Sequence, residues 1–274
     1  RVLDETLRED GIWVERHDRR LLSFSCNDYL NLTQHPAIKK AAIAGIEKYG
    51  AGSGASRLVT GNHPLYAERE ARLAEFKQTE SACVLGSGYL ANTGIIPALI
   101  GSDGLVLLDE FSHACIYAGA QLSRGQVKTF RHNDLDHARA LLAEHRSRHD
   151  HALIVTDGVF SMDGDIAPLE ALLALAEQFD AWLMSDDAHG IGVVGGGRGS
   201  SFSDNSHVAV PLQMGTLSKA IGSYGGYLCA SASVIELMRN RARTLIYSTG
   251  LPPASIAAAI AALDLLARGP AYAA

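Results

Sequence analysis

Apolar, β-branched runs alternate along this chain with segments of helical periodicity. Residues 105–108, 152–156 and 181–185 are short apolar runs, the pattern of strands buried on both faces of a parallel sheet. Between them, Leu135, Ala138, Leu141 and Leu142 mark one face of a helix that Asn133 or Asp134 can cap and that runs to about His145. Pro168 opens a second helix to about Phe179, apolar at Leu169, Leu172, Leu173 and Ala176. Residues before about Gly50 read as a polar lead-in carrying one amphipathic helix, 36–48. Near the end, residues 254–267 form a long apolar helix that Arg268-Gly269-Pro270 breaks. Such a helix needs cover, from a partner chain or from a C-terminal domain lying beyond this sequence. The alternation predicts an α/β fold with a mostly parallel central sheet and helices on both faces. It divides into an N-terminal segment (1–49), a large domain (50–253) and the start of a helix (254–274) leading to an absent small domain.

Composition narrows the possibilities. The chain has 274 residues, 47% hydrophobic and 20% charged, which suits a globular domain with a sizeable core. A net charge of −6 argues against nucleic-acid binding, and the basic stretch 239–243 reads as a solvated helix face. No apolar run is long enough to span a bilayer, and no signal peptide opens the sequence. Cys26, Cys83, Cys115 and Cys229 are scattered, without a C-x-x-C pair. Free thiols in a reducing cytoplasm fit this spacing better than disulfides or zinc. His145, His149 and His151 fall on a helix end and a loop without a fixed acid partner, so no metal is expected.

Candidate chemistry sits where the apolar runs end. The three strand-like runs finish at or just before Asp109, Asp157 and Asp186, and the carboxyl ends of strands face the ligand crevice in open α/β sheets. Asp186-Asp187-Ala188-His189 therefore offers a carboxylate able to keep a pyridinium nitrogen protonated, and an imidazole three residues on. A capping aspartate with a structural histidine is the alternative reading of that motif. Lys219 is the only Lys, Arg, Asp or Glu between Asp204 and Glu236. Desolvation there would lower its pKa and free an amine for Schiff-base chemistry; a lysine that snorkels to the surface is the reading this segment leaves open. Thr216 and Ser218 could bind a phosphate beside it. Gly86-Ser87-Gly88-Tyr89 precedes a helical stretch, 92–100, and can present backbone N–H groups to an anion. His113 follows another strand end and could stack on an aromatic ring. Gly190-Ile191-Gly192-Val193-Val194-Gly195 matches a dinucleotide fingerprint, but the glycines and serines after it cannot start a packed helix, and it reads as a flexible loop.

Taken in order, these segments resemble the α-oxoamine synthase family of fold-type-I pyridoxal 5′-phosphate (PLP) enzymes. The matching pieces are Asn27-Asp28-Tyr29-Leu30, residues 52–61, Ser112-His113-Ala114, residues 158–165, Asp186-Asp187-Ala188-His189-Gly190, Gly215-Thr216-Leu217-Ser218-Lys219 and Tyr247-Ser248-Thr249. The likeness runs from about residue 20 to 265, and the run 56–66 is most similar to the branch that joins L-alanine to a pimeloyl thioester, on CoA or a carrier. The resemblance implies that 50–253 is a PLP-binding large domain with Lys219 as the covalent attachment point and proton carrier. Asp186 would pair with the pyridine nitrogen, His189 with the ring hydroxyl, and His113 would stack on the ring. Ser161 would lie near the ring, Gly88, Tyr89 and Thr216 would hold the phosphate, and Asn27 would belong to the substrate side. Thr249 would reach the phosphate from the neighbouring subunit of a homodimer with shared sites. Family members continue into a C-terminal domain supplying an arginine for the amino-acid carboxylate, so this chain is expected to bind PLP and turn over poorly by itself.

Overall fold

The strands owe their continuous apolar character to burial on both faces. The structure, a computed structural model, describes residues 3–8, 11–203 and 206–269. It opens with a small antiparallel sheet of β1 (Leu7–Arg8), β2 (Trp13–Arg16) and β3 (Arg19–Leu22). There follow α1 (Pro36–Tyr49), α2 (Leu65–Lys77), β4 (Ser81–Leu85), α3 (Gly88–Leu99), β5 (Leu105–Asp109), α4 (Ala114–Ser123), β6 (Gln126–Phe130) and α5 (Leu135–His145). The remainder comprises β7 (Ala152–Asp157), α6 (Leu169–Gln178), β8 (Trp182–Asp186), β9 (Leu212–Thr216), β10 (Gly226–Ala230), α7 (Ala232–Arg241), α8 (Arg243–Ile246) and α9 (Pro253–Ala267).

The central sheet has seven strands in the order β4-β10-β9-β8-β7-β5-β6. Pairs from β9 through β6 are parallel, and β10 alone is antiparallel to both its neighbours. Side chains alternate strictly across it. Val106, Leu108, Leu153 and Val155 enter a core with Ile95, Ile96 and Ile116, whereas Leu105, Leu107, Ala152 and Ile154 enter a second core with Leu142, Leu172 and Leu175. A third core joins Val84, Tyr227 and Cys229 to α2 and α9. The expected mostly parallel sheet with helices on both faces is the fold observed.

Three expectations need correction. Within the polar lead-in, residues 13–22 form a hairpin that the reading of the sequence did not mark. Its turn residues His17 and Asp18 both take positive φ, 51° and 56°, as a two-residue type I′ turn requires, and neither is the glycine that would have signalled it. The apolar helix near the end is covered inside the chain: α9 packs chiefly on α1 and α2. A Cβ on Gly45 of α1 would lie 3.0 Å from Ala257 Cβ, so small residues bring the two backbones together. Pro270, the expected helix breaker, lies outside the described residues, as does everything after it. Third, several glycines of the run after His189 are tightly packed, Gly196 being the exposed exception. Gly190 and Gly199 wrap the buried Asp187 carboxylate so closely that a Cβ on either would stand 1.9 or 1.6 Å from it. Asp187 is paired with the equally buried Lys77 at 2.9 Å, and Lys77 also donates to Arg198 O.

Candidate active site

Parallel strands deliver their carboxyl ends to one edge, and here that edge gathers most of the candidate groups. A cavity of about 200 Å³ is lined there by Ser87, Gly88, Tyr89, His113, Cys115, Asp157, Asp186, Ala188, His189, Met214, Thr216, Ser218 and Lys219. It brings together Gly88, Tyr89, His113, Asp186, His189, Thr216 and Lys219, which stand up to 131 residues apart (219 − 88). Asp157 and Asp186 are register partners at the ends of β7 and β8. Asp109, the third strand-end acid, instead holds a loop: its carboxylate accepts from Phe111 N and Asn133 N and faces His132 Nδ1.

Lys219 lies on the turn between β9 and β10, closed by Gly222 N donating to Lys219 O at 2.8 Å. Gly222 sits at φ 68°, and a Cβ there would be 2.6 Å from Thr33 N, so glycine is required where this turn meets the N-terminal segment. Lys219 Nζ is 2.7 Å from His189 Nε2. Burial lowers the lysine's pKa, while Asp186 and Asp157 pull it back up. His189 is pushed down to about 4 by burial and then by the charges of Lys219 and His113, so it is neutral at pH 7. An ammonium only donates. With Lys219 charged, His189 therefore accepts at Nε2 and carries its proton at Nδ1, 2.6 Å from Tyr29 Oη.

Asp186 is 3% exposed. Burial pushes its carboxyl pKa up; Asn92, the Ala188 amide, Lys219 and His113 act in the opposite sense. Asp157 is raised to about 8 by burial and by Asp186, although His113 N donates to it at 2.9 Å. His113 caps α4, its Nδ1 accepting from Cys115 N and lying 2.8 Å from Cys115 Sγ. The Cys115 thiol is pushed up to about 12 by burial and by Asp186, which keeps it a thiol.

One end of the cavity is the start of α3. Ser87 caps this helix, accepting from Leu90 N at 3.1 Å, and free N–H groups of the first turn suit an anion. A Cβ on Gly88 would contact Thr216 Cβ at 3.4 Å, so glycine keeps that end narrow but open. Thr216 Oγ1 and Ser218 Oγ lie 2.8 Å apart there. An amine, a buried carboxylate, an imidazole and an anion cradle around one small cavity fit PLP.

Three expected site residues lie elsewhere in the single chain. Ser161 lines an open hollow with Phe111, Phe160, Met162 and Asp163. Thr249 lines a narrow cleft with Arg57 and Ser248, and its backbone bridges Ser56. Asn27 stands behind Tyr29, accepting from Tyr29 Oη at 3.2 Å. Sequence reasoning missed Asn92, Cys115 and the contact of Tyr29 with His189. Tyr29 lies in a matching motif, but Asn92 and Cys115 sit in apolar helical stretches that carry no chemical signal.

Known proteins sharpen the picture. The aminotransferase class I and II family matches residues 19–272. A protein of Beijerinckia indica subsp. indica named 8-amino-7-oxononanoate synthase is 63% identical over 266 residues, 97% of this chain and 69% of its own length. One of the same name from Methylocella silvestris is 66% identical over 257 residues, 94% of this chain and 73% of its own. Among solved structures, a serine palmitoyltransferase from S. paucimobilis with bound PLP–myriocin superposes with a TM-score of 0.90 at 31% identity, covering 95% of this chain. This chain spans only 65% of that one. An 8-amino-7-oxononanoate synthase from Francisella tularensis superposes with a TM-score of 0.74 at 30% identity, over 89% of this chain and 68% of its own. The chain belongs to the aminotransferase class I and II family, with the fold-type-I architecture of the α-oxoamine synthases.

Proposed function

We propose that this chain carries the PLP site of an 8-amino-7-oxononanoate synthase. The reaction joins L-alanine to a pimeloyl thioester, on CoA or a carrier, releasing the thiol and CO₂ and forming the ketone intermediate of biotin biosynthesis. The observation that carries the reading is Lys219 Nζ at 2.7 Å from His189 in the cavity that also holds Asp186 and the start of α3. Identity of 63–66% to curated synthases, against 31% to serine palmitoyltransferase, favours alanine over serine as the amino acid.

When bound, PLP supplies an aldehyde for amines and an electron-withdrawing ring. The chain's residues supply the rest. The N–H groups of Gly88 and Tyr89, with the Thr216 hydroxyl, would hold the phosphate, and Lys219 Nζ would be the covalent attachment point. Asp186 would keep a proton on the ring nitrogen, His189 would hydrogen-bond the ring hydroxyl, and His113 would stack on the ring. As a free amine, Lys219 Nζ would take the proton from the alanine Cα and later return one to the product, and its lowered pKa makes the neutral amine accessible. Asn27 and Ser161 belong to the substrate side. In a homodimer Thr249 of one subunit would serve the site of the other, which accords with its position outside this cavity. No described helix is long and apolar enough to cross a membrane, and we place the enzyme in the cytoplasm.

The test is direct. Mixed with PLP, the chain should develop a visible band that borohydride fixes, with the reduced label on the peptide containing Lys219; Lys219→Ala should show neither. Addition of alanine, glycine or serine should perturb the band most with alanine. Label on another lysine, or no band, refutes the assignment.

A further inference from the structure

Two buried side chains of α3 are polar: Thr93, whose hydroxyl donates to Tyr89 O within the helix at 2.8 Å, and Asn92, which is fully buried. A buried amide persists only where its hydrogen bonds offset the loss of water. Asn92 Nδ2 donates to Asp186 Oδ2 at 2.7 Å and lies 3.1 Å from Cys115 Sγ. An ionised carboxylate only accepts, so the amide nitrogen must face it. Asn92 Oδ1 has no hydrogen-bond partner; the side chain is committed through its donor end. The second Asp186 oxygen accepts from Ala188 N at 3.0 Å. One donor on each oxygen fixes the plane of the carboxylate. Cys115 in turn lies against His113 Nδ1, so α3 and α4 tie Asp186 to the imidazole across the cavity.

We propose that Asn92 is the positioning residue for Asp186: its amide holds the carboxylate ionised and oriented for the ring nitrogen of PLP. The inference deepens the reading above and rests on it. Of the other groups facing Asp186, Asp157 opposes its charge, Lys219 and His113 favour it, and Asn92 is the one side chain in hydrogen-bond contact with it among the described residues.

The experiment compares full-length wild type, Asn92→Leu and Asn92→Ala, each titrated with PLP and with 1-deaza-PLP, which carries a C–H in place of the pyridine nitrogen. The quantity read is the ratio of the two affinities. Removing a hydrogen bond to a charged group should reduce the preference for PLP by about tenfold in both variants. A ratio that stays at the wild-type value, with both ligands weakened alike, marks a purely structural role and overturns the proposal. Asn92→Ala adds no bulk, so it decides the matter if the leucine variant does not fold. A wild type that fails to attach PLP at Lys219, or whose ratio survives Asp186→Asn, overturns the functional reading and this proposal together, a pattern distinct from failure of Asn92 alone.

Discussion

Asp157 shows how much a single side chain's surroundings decide. Its carboxyl is raised to about 8 by burial first and by Asp186 second. Because its folded pKa lies above the unfolded value, the folded state holds the extra proton between about pH 4 and 8. The stability this contributes is fully present below the unfolded pKa and is lost as pH rises through about 8. His189 has the opposite sign: lowered to about 4, it contributes above about pH 6.5, and that contribution is lost as pH falls through about 4. Asp157→Asn keeps an acceptor for His113 N and removes the titration. Melting curves of the apoprotein should therefore show wild type losing stability relative to Asp157→Asn between pH 5 and about 8; parallel curves would refute the assignment. Lys219 and Asp186 stood out in the sequence because each breaks a local pattern. Asn92 did not, because its reason lies 94 residues away in Asp186.

At the scale of elements, the end of α2 and the loop after β8 are joined by the Lys77–Asp187 pair, with side chains 0% and 1% exposed. Asp187 also accepts from Ser200 N at 3.0 Å. Breaking a buried pair from one side leaves a charge without compensation, so Lys77→Met should cost about 3–5 kcal/mol in denaturant unfolding. The double variant Lys77→Met/Asp187→Asn should cost less than the sum of the single changes, because no lone charge remains. Strict additivity would show that the two groups do not depend on each other. The fingerprint-like glycines find their explanation here. Gly190 makes room for the Asp187 carboxylate, whereas Gly192 packs on Ala220 and Gly195 on Phe202, a distinction the pattern of glycines could not make.

Across the whole molecule, α9 ties the N-terminal segment to the sheet. Ile256 shares its core with Leu32, Ile38, Leu73 and Tyr227. The segment from Asp28 to Thr33 is further held by Arg8, which donates to Asp28, Asn31 and Thr33, and it carries Tyr29 to His189. Ile256→Ala should lower stability by about 2–5 kcal/mol. If the segment is held as described, the same change should weaken PLP binding although no atom of Ile256 lines the cavity. Unaltered affinity in a destabilised variant would separate α9 from the site.

Elements whose cause is local were legible along the chain. Both-face burial wrote β5, β7 and β8 as short, largely apolar runs, Asp134 and Pro168 marked helix starts, and the breaks in pattern at Asp186 and Lys219 marked them as candidates. Features that depend on partners distant in the chain emerge only once it is folded: the reversed direction of β10, the cover over α9, the Lys77–Asp187 pair, and the amide of Asn92 against Asp186. Periodicity records whether a side chain is buried. It does not record against what, and hydrogen bonds and ion pairs depend on that second fact.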